Sequence, residues 1–242
     1  MLSDFFQGRR SLTEITLRRC SQVDDDVVRT IADHCPKLQS LNITREKDSV
    51  RPCRVSDEAI SYLAEKSPDL ALIYLKRRGV SDVAVNKLAE FCSMLKVIDL
   101  VDCNEITDEG IKALTTSCQS LTKISLGASE DNVAKLTRRS LEAIADSNIQ
   151  ILELGIFADI GSDQRNQSRQ IFSEFIQKAN TLIAINMNFE HYDLGFTSII
   201  HFNKPQQIEI SYSDEAPLDQ DQILNIVSEE AENQSMPCPF SH

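Results

Sequence analysis

Apolar residues in this chain recur with a fixed spacing, and a long period restricts a fold more than composition does. Aligned on Leu-x-x-apolar-x-apolar, the series runs Leu12/Ile15/Leu17, Leu38/Leu41/Ile43, Leu70/Ile73/Leu75, Leu95/Ile98/Leu100, Leu121/Ile124/Leu126 and Ile149/Leu152/Leu154. Two weaker units follow, at Leu182/Ile185/Met187 and Ile208/Ile210. Units start at 12, 38, 70, 95, 121, 149, 182 and about 205, so the intervals are 26, 32, 25, 26, 28, 33 and about 23. Each apolar-x-apolar step is the alternation of a short strand with one covered face.

The second half of each unit is equally regular. After the strand come Val23-Asp24, Val55-Ser56-Asp57, Val80-Ser81-Asp82 and Ile106-Thr107-Asp108. A Ser, Thr or Asp ahead of an apolar-periodic run is a helix N-cap, accepting from free N–H groups of the first turn. Apolar residues then fall at i, i+3, i+4 spacing, as in Ile60/Leu63/Ala64, Val85/Leu88/Ala89 and Leu141/Ile144/Ala145. One stripe per helix gives one buried face. A strand and helix of this size cannot bury that face alone, so neighbouring units must stack. The expected fold is an α/β solenoid with short parallel strands on the concave side and helices outside. Residues 1–11 are expected to form an N-terminal cap, 12–232 a solenoid of about 7–8 units, and 233–242 a disordered tail. The stretch Phe157–Ser168 breaks the period.

Leu95–Cys118 reads LKVIDLVDCNEITDEGIKALTTSC, and Leu12–Pro36 repeats its plan with Cys20 and Cys35 in place. This pattern resembles the cysteine-containing leucine-rich repeat, well over 12–160 and poorly over 161–227. It is similar to the repeats of F-box/leucine-rich-repeat proteins and of the F-box-less antagonist-of-mitotic-exit-network type. The segment Arg45–Cys53 lengthens the second unit, as in the latter group. The resemblance implies a leucine-rich-repeat horseshoe that recognises proteins, in ubiquitin-ligase substrate selection or cell-cycle control. The 11 residues before Leu12 are too few for an F-box, so the expectation is a chain that works without one or a fragment of a longer product.

Seven cysteines, with no CxxC pair, argue against a disulfide framework and against a zinc site of the common spacing. Cys20 and Cys103 follow strands, while Cys35, Cys92 and Cys118 end helices, positions for small polarizable packing groups. Cys53 and Cys238 lie outside the repeat pattern and are expected as exposed thiols. His34 beside Cys35 has no orienting acid, and Ser198, His191 and Asp193 lack a nucleophile elbow. Asp24-Asp25-Asp26 reads as the cap and first turn of a helix, where negative charge meets the dipole favourably. The isolated glycines make no phosphate loop, and Asn42-Ile43-Thr44, a glycosylation triplet, sits in a strand. No cofactor or metal motif emerges, and no enzyme constellation.

What remains is the strand face. Alternation turns Glu14, Thr16 and Arg18 outward, then Ser40, Asn42 and Thr44, then Leu72, Tyr74 and Lys76, then Val97, Asp99 and Val101. Arg19, Arg45, Arg77 and Arg78 follow the strand ends and would make a basic edge. Apolar groups beside Tyr and Arg are the composition of a protein-binding patch. The competing interpretation is a solvated face with incidental apolar residues. The candidate partner-binding set is Arg18, Arg19, Arg45, Leu72, Tyr74, Lys76, Arg77, Val97, Asp99 and Val101, facing a partner protein or an acidic peptide. Ubiquitin-ligase components are the partners the resemblance implies. A scaffold docking or dimerising through its outer helices is the alternative.

Net charge bears on the partner. Residues 1–139 hold 21 bases and 21 acids, and residues 140–242 hold 4 against 16, so the overall −12 resides at one end. A net-acidic chain repels a phosphate backbone, which argues against nucleic acid as the partner. No apolar run approaches the roughly 20 residues of a membrane span, and the expected location is cytoplasmic or nuclear.

Overall fold

The computed structural model describes residues 2–18, 20, 22–45, 55–128, 135–155 and 170–187, the last apart from 172, 173, 176 and 183. Helix α1 (Leu2–Phe6) precedes strand β1 (Glu14–Thr16), after which helices and strands alternate. They are α2 (Asp25–His34), β2 (Ser40–Asn42), α3 (Asp57–Lys66), β3 (Leu72–Tyr74), α4 (Asp82–Phe91), β4 (Val97–Asp99), α5 (Asp108–Ser117), β5 (Lys123–Leu126), α6 (Arg138–Ala145) and β6 (Ile151–Leu154). Strand β7 (Ala184–Met187) follows helical residues within 170–178. The strands form one parallel sheet in the order β1 to β7, and each helix packs on the next, so this is an α/β leucine-rich-repeat solenoid. The eighth unit at Ile208/Ile210 and the acidic end of the chain lie outside the described residues.

The register shows why the period works. Ile15, Leu41, Ile73, Ile98, Ile124, Leu152 and Ile185 pair in sequence across the sheet, forming one buried ladder. Ile43, Leu75, Leu100, Leu126 and Leu154 build a second buried row beside it. From the other side come helix residues such as Ile60, Leu63, Val85, Leu88, Ile111 and Leu114. Each such side chain stabilises by about 1.5–3 kcal/mol when fully buried. The N-terminal segment contributes too: α1 packs against α2 and puts Phe6 into the core.

All five caps are made. Asp24, Ser56, Ser81, Thr107 and Thr137 accept at the side chain from N–H groups of Val27, Ala59, Val83, Glu109 and Arg139. The acid after the cap does something further. Asp25 accepts from the N–H and hydroxyl of Ser56 in the next repeat, at 2.7 and 2.8 Å. Asp57 does the same to Ser81 (2.7 and 2.6 Å), Asp82 to Thr107 (2.9 and 2.6 Å) and Asp108 to Thr137 (2.8 and 2.6 Å). The first-turn acids therefore link successive repeats besides facing the helix dipole. At α6 the corresponding residue is Arg138, so among the described residues Asp108 to Thr137 is the last aspartate link.

The cysteines lie where packing positions were expected. Cys35, Cys92 and Cys118 are the C-cap residues of α2, α4 and α5 and are buried; Ser67 takes that place in α3. The Cys92 thiol faces the Ser67 carbonyl at 3.6 Å, and the Cys118 thiol the Cys92 carbonyl at 3.7 Å. Cys103 is also buried, directed at the Leu75 carbonyl. Cys53 and Cys238 lie outside the described residues.

Candidate protein-binding face

The outward rows of the strands form the open face. One row runs Glu14, Ser40, Leu72, Val97, Lys123 and Ile151; the other runs Thr16, Asn42, Tyr74, Asp99, Ser125 and Glu153. Glu14, Thr16 and Arg18 are exposed. Arg45, Leu72, Tyr74, Lys76, Val97, Asp99 and Val101 are half-buried. Leu72, Tyr74, Val97 and Asp99 sit side by side in paired strands, with Lys76 and Val101 just beyond the strand ends. Arg19 lies outside the described residues.

Two expected rim residues differ. Arg78 is buried, its Nε donating to the Ile43 carbonyl at 2.6 Å, so it braces two repeats from inside. Arg77 adopts a left-handed backbone (φ 61°), and its Nε meets the Asp102 carboxylate at 2.9 Å. Asp102 is itself left-handed and buried. Arg78 is thus turned into the fold, while Arg77 stays half-buried at the strand end, paired with Asp102, and among the described residues the basic edge holds Arg18, Arg45, Lys76 and Arg77. Ser40, expected outward, is also covered.

Lys123, Ile151 and Glu153 complete the face in β5 and β6, and Ser125, in line with them, is covered. They were missed because the outward positions were followed through four units, although the same alternation places these in line. Lys123 pairs with Glu153, and the Ser125 hydroxyl donates to the same carboxylate at 2.6 Å. Ile151 is an exposed apolar group.

The two floor carboxylates are shifted in opposite directions. Burial works against an ionised Glu153. Hydrogen bonds from Lys123 and Ser125, with the positive fields of Lys123 and Lys76, nonetheless hold its pKa below the ordinary glutamate value. Burial pushes the Asp99 pKa up, and the Val101 N–H, Lys76 and Lys123 do not offset it. The single hydrogen bond shown to the Asp99 carboxylate comes from that N–H, at 3.1 Å. No described lysine or arginine forms an ion pair with it.

The chain is similar to known proteins over parts of its length. A family model described as a leucine-rich repeat matches residues 91–114, spanning the end of α4, β4 and most of α5. The F-box protein FBW2 of Arabidopsis thaliana is 28% identical over 121 residues, covering 48% of this chain and 38% of that protein. The F-box protein SKIP1 of the same plant is 33% identical over 76 residues, covering 31% and 25%. The matched stretches thus span well under half of either relative. Among solved structures, the yeast Rad7–Elc1 complex aligns at TM-score 0.48 and 21% identity, over 62% of this chain and 37% of that one. The leucine-rich-repeat protein LegL7 of Legionella pneumophila aligns at 0.49 and 10%, over 95% and 84%. The chain folds as a leucine-rich-repeat solenoid, and its repeats resemble those of F-box proteins.

Proposed function

We propose that the chain is a non-catalytic recognition module that holds a partner protein on its open strand face. The observation that carries this reading is the contiguous patch of Leu72, Tyr74 and Val97 around Asp99, bordered by Lys76. These apolar side chains lie on the face of the sheet opposite the core and gain burial from a partner. Similarity to F-box proteins supports a place in ubiquitin-ligase substrate selection or in cell-cycle control, in the cytoplasm or nucleus.

Affinity purification from cell extract with wild type and a Tyr74→Ala/Lys76→Glu double variant tests the face. Loss of the captured partner with an unchanged melting temperature supports it. Capture that survives both changes favours docking through the outer helices instead. A direct pull-down with an F-box adaptor, positive or negative, decides whether this chain itself contacts the ligase.

A further inference from the structure

We propose that Asp99 is the specificity-determining acceptor of the strand face, taking an arginine or lysine that the partner presents beside an apolar residue. The inference rests on the strand-face reading and names the partner chemistry that the face selects.

Asp99 lies on β4, between β3 and β5 within the described sheet. Tyr74 and Ser125 flank it across the sheet, and Val97 and Val101 lie two residues away along the chain. This is a charge set in a largely apolar floor, the setting in which interface hot spots occur. Its neighbours leave it short of positive charge. Lys123 is committed to Glu153, and Lys76 forms no ion pair with it. Glu153 shows the contrast, because a lysine and a hydroxyl of the same protein satisfy it.

A half-buried carboxylate supplied with one backbone N–H has lost part of its water without gaining an ion pair, and the fields of Lys76 and Lys123 offset that loss only in part. An incoming guanidinium or ammonium supplies the missing charge, and the apolar part of the same segment covers Leu72, Tyr74 and Val97. Charge complementarity thus favours a basic side chain at this point, while the exposed Arg18 and the half-buried Lys76 favour acidic residues of the partner towards β1. The raised pKa of Asp99 agrees with this shortage of charge.

A random-peptide phage library selected on the full chain alone, with the affinity of each selected peptide then measured on wild type, Asp99→Asn and Tyr74→Ala, provides the test. Asparagine keeps the shape and the acceptor for Val101 while removing the charge. Selected peptides are expected to carry Arg or Lys next to an apolar residue. They should lose about tenfold or more in affinity on Asp99→Asn, as expected for a close charge pair. The melting temperature of that variant should be equal or higher, an outcome a merely structural role for Asp99 would not give. Peptides that need Tyr74 but bind Asp99→Asn equally well overturn this inference and leave the strand-face reading standing. Peptides indifferent to both substitutions, or failure to select any, count against both.

Discussion

Burial pushes the Cys92 thiol up to about 12 and the Cys118 thiol up to about 11, and raises that of Cys35. At neutral pH these sulfurs are protonated and unreactive, since the thiolate is the nucleophile. Iodoacetamide labelling followed by peptide mass spectrometry should leave Cys92 and Cys118 unmodified in the folded protein and label both in denaturant. Gly127 makes a different residue-scale demand. Its φ of +94° suits glycine, and an added Cβ would stand 2.5 Å from the Gly155 carbonyl carbon. Gly127→Ala should therefore destabilise by at least about 1–3 kcal/mol from the backbone conformation alone. Gly79→Ala, with open space around it, serves as the control in urea titrations. Asp99 contributes to a pH profile. Its folded pKa is raised, so its contribution to stability is fully present below the unfolded value near 3.9 and is lost as pH rises through the folded value. Glu153 acts in the opposite sense, with stability lost as pH falls through its lowered value. Removing the Asp99 charge should flatten its part of the curve: wild type gains on Asp99→Asn as pH falls from neutral towards 4.

Elements here are held by two kinds of bond, and they differ in how plainly the sequence announces them. Caps and core ladders follow from residues within one unit, so the Val-Ser-Asp and Ile-Thr-Asp triplets and the Leu/Ile spacing are enough to place them. The relay from each first-turn acid to the next cap spans 24 to 31 positions, and its chemical sense needs the stacked helices. Its trace was nevertheless present, as Ser-Asp or Thr-Asp recurring at 56, 81 and 107. Charge patterning does not announce that Arg78 of the Arg77-Arg78 doublet turns inward to the Ile43 carbonyl, while the left-handed Arg77 stays half-buried on Asp102. Asp57→Ala should cost about 1–3 kcal/mol, because the buried-side N–H of Ser81 loses its acceptor. Chemical denaturation of this variant beside Asp69→Ala, at a position exposed on a turn, measures the difference.

For the molecule as a whole, stability in a repeat array is a sum of unit terms and contacts between adjacent units. Through α5 each interface carries sheet pairing, helix packing and an acid-to-cap clasp; among the described residues the last such clasp is Asp108 to Thr137, and Arg138 stands where the next aspartate would be. A ladder of this kind has a seam at its last clasp, and local opening begins where interfaces are weakest. Backbone amides of β6 and β7 should exchange with deuterium sooner than those of β3 and β4, read by hydrogen-exchange mass spectrometry. The missing aspartate then acts as a perforation: thermal or proteolytic insult peels the distal repeats first, while the strands that carry Tyr74 and Asp99 stay zipped.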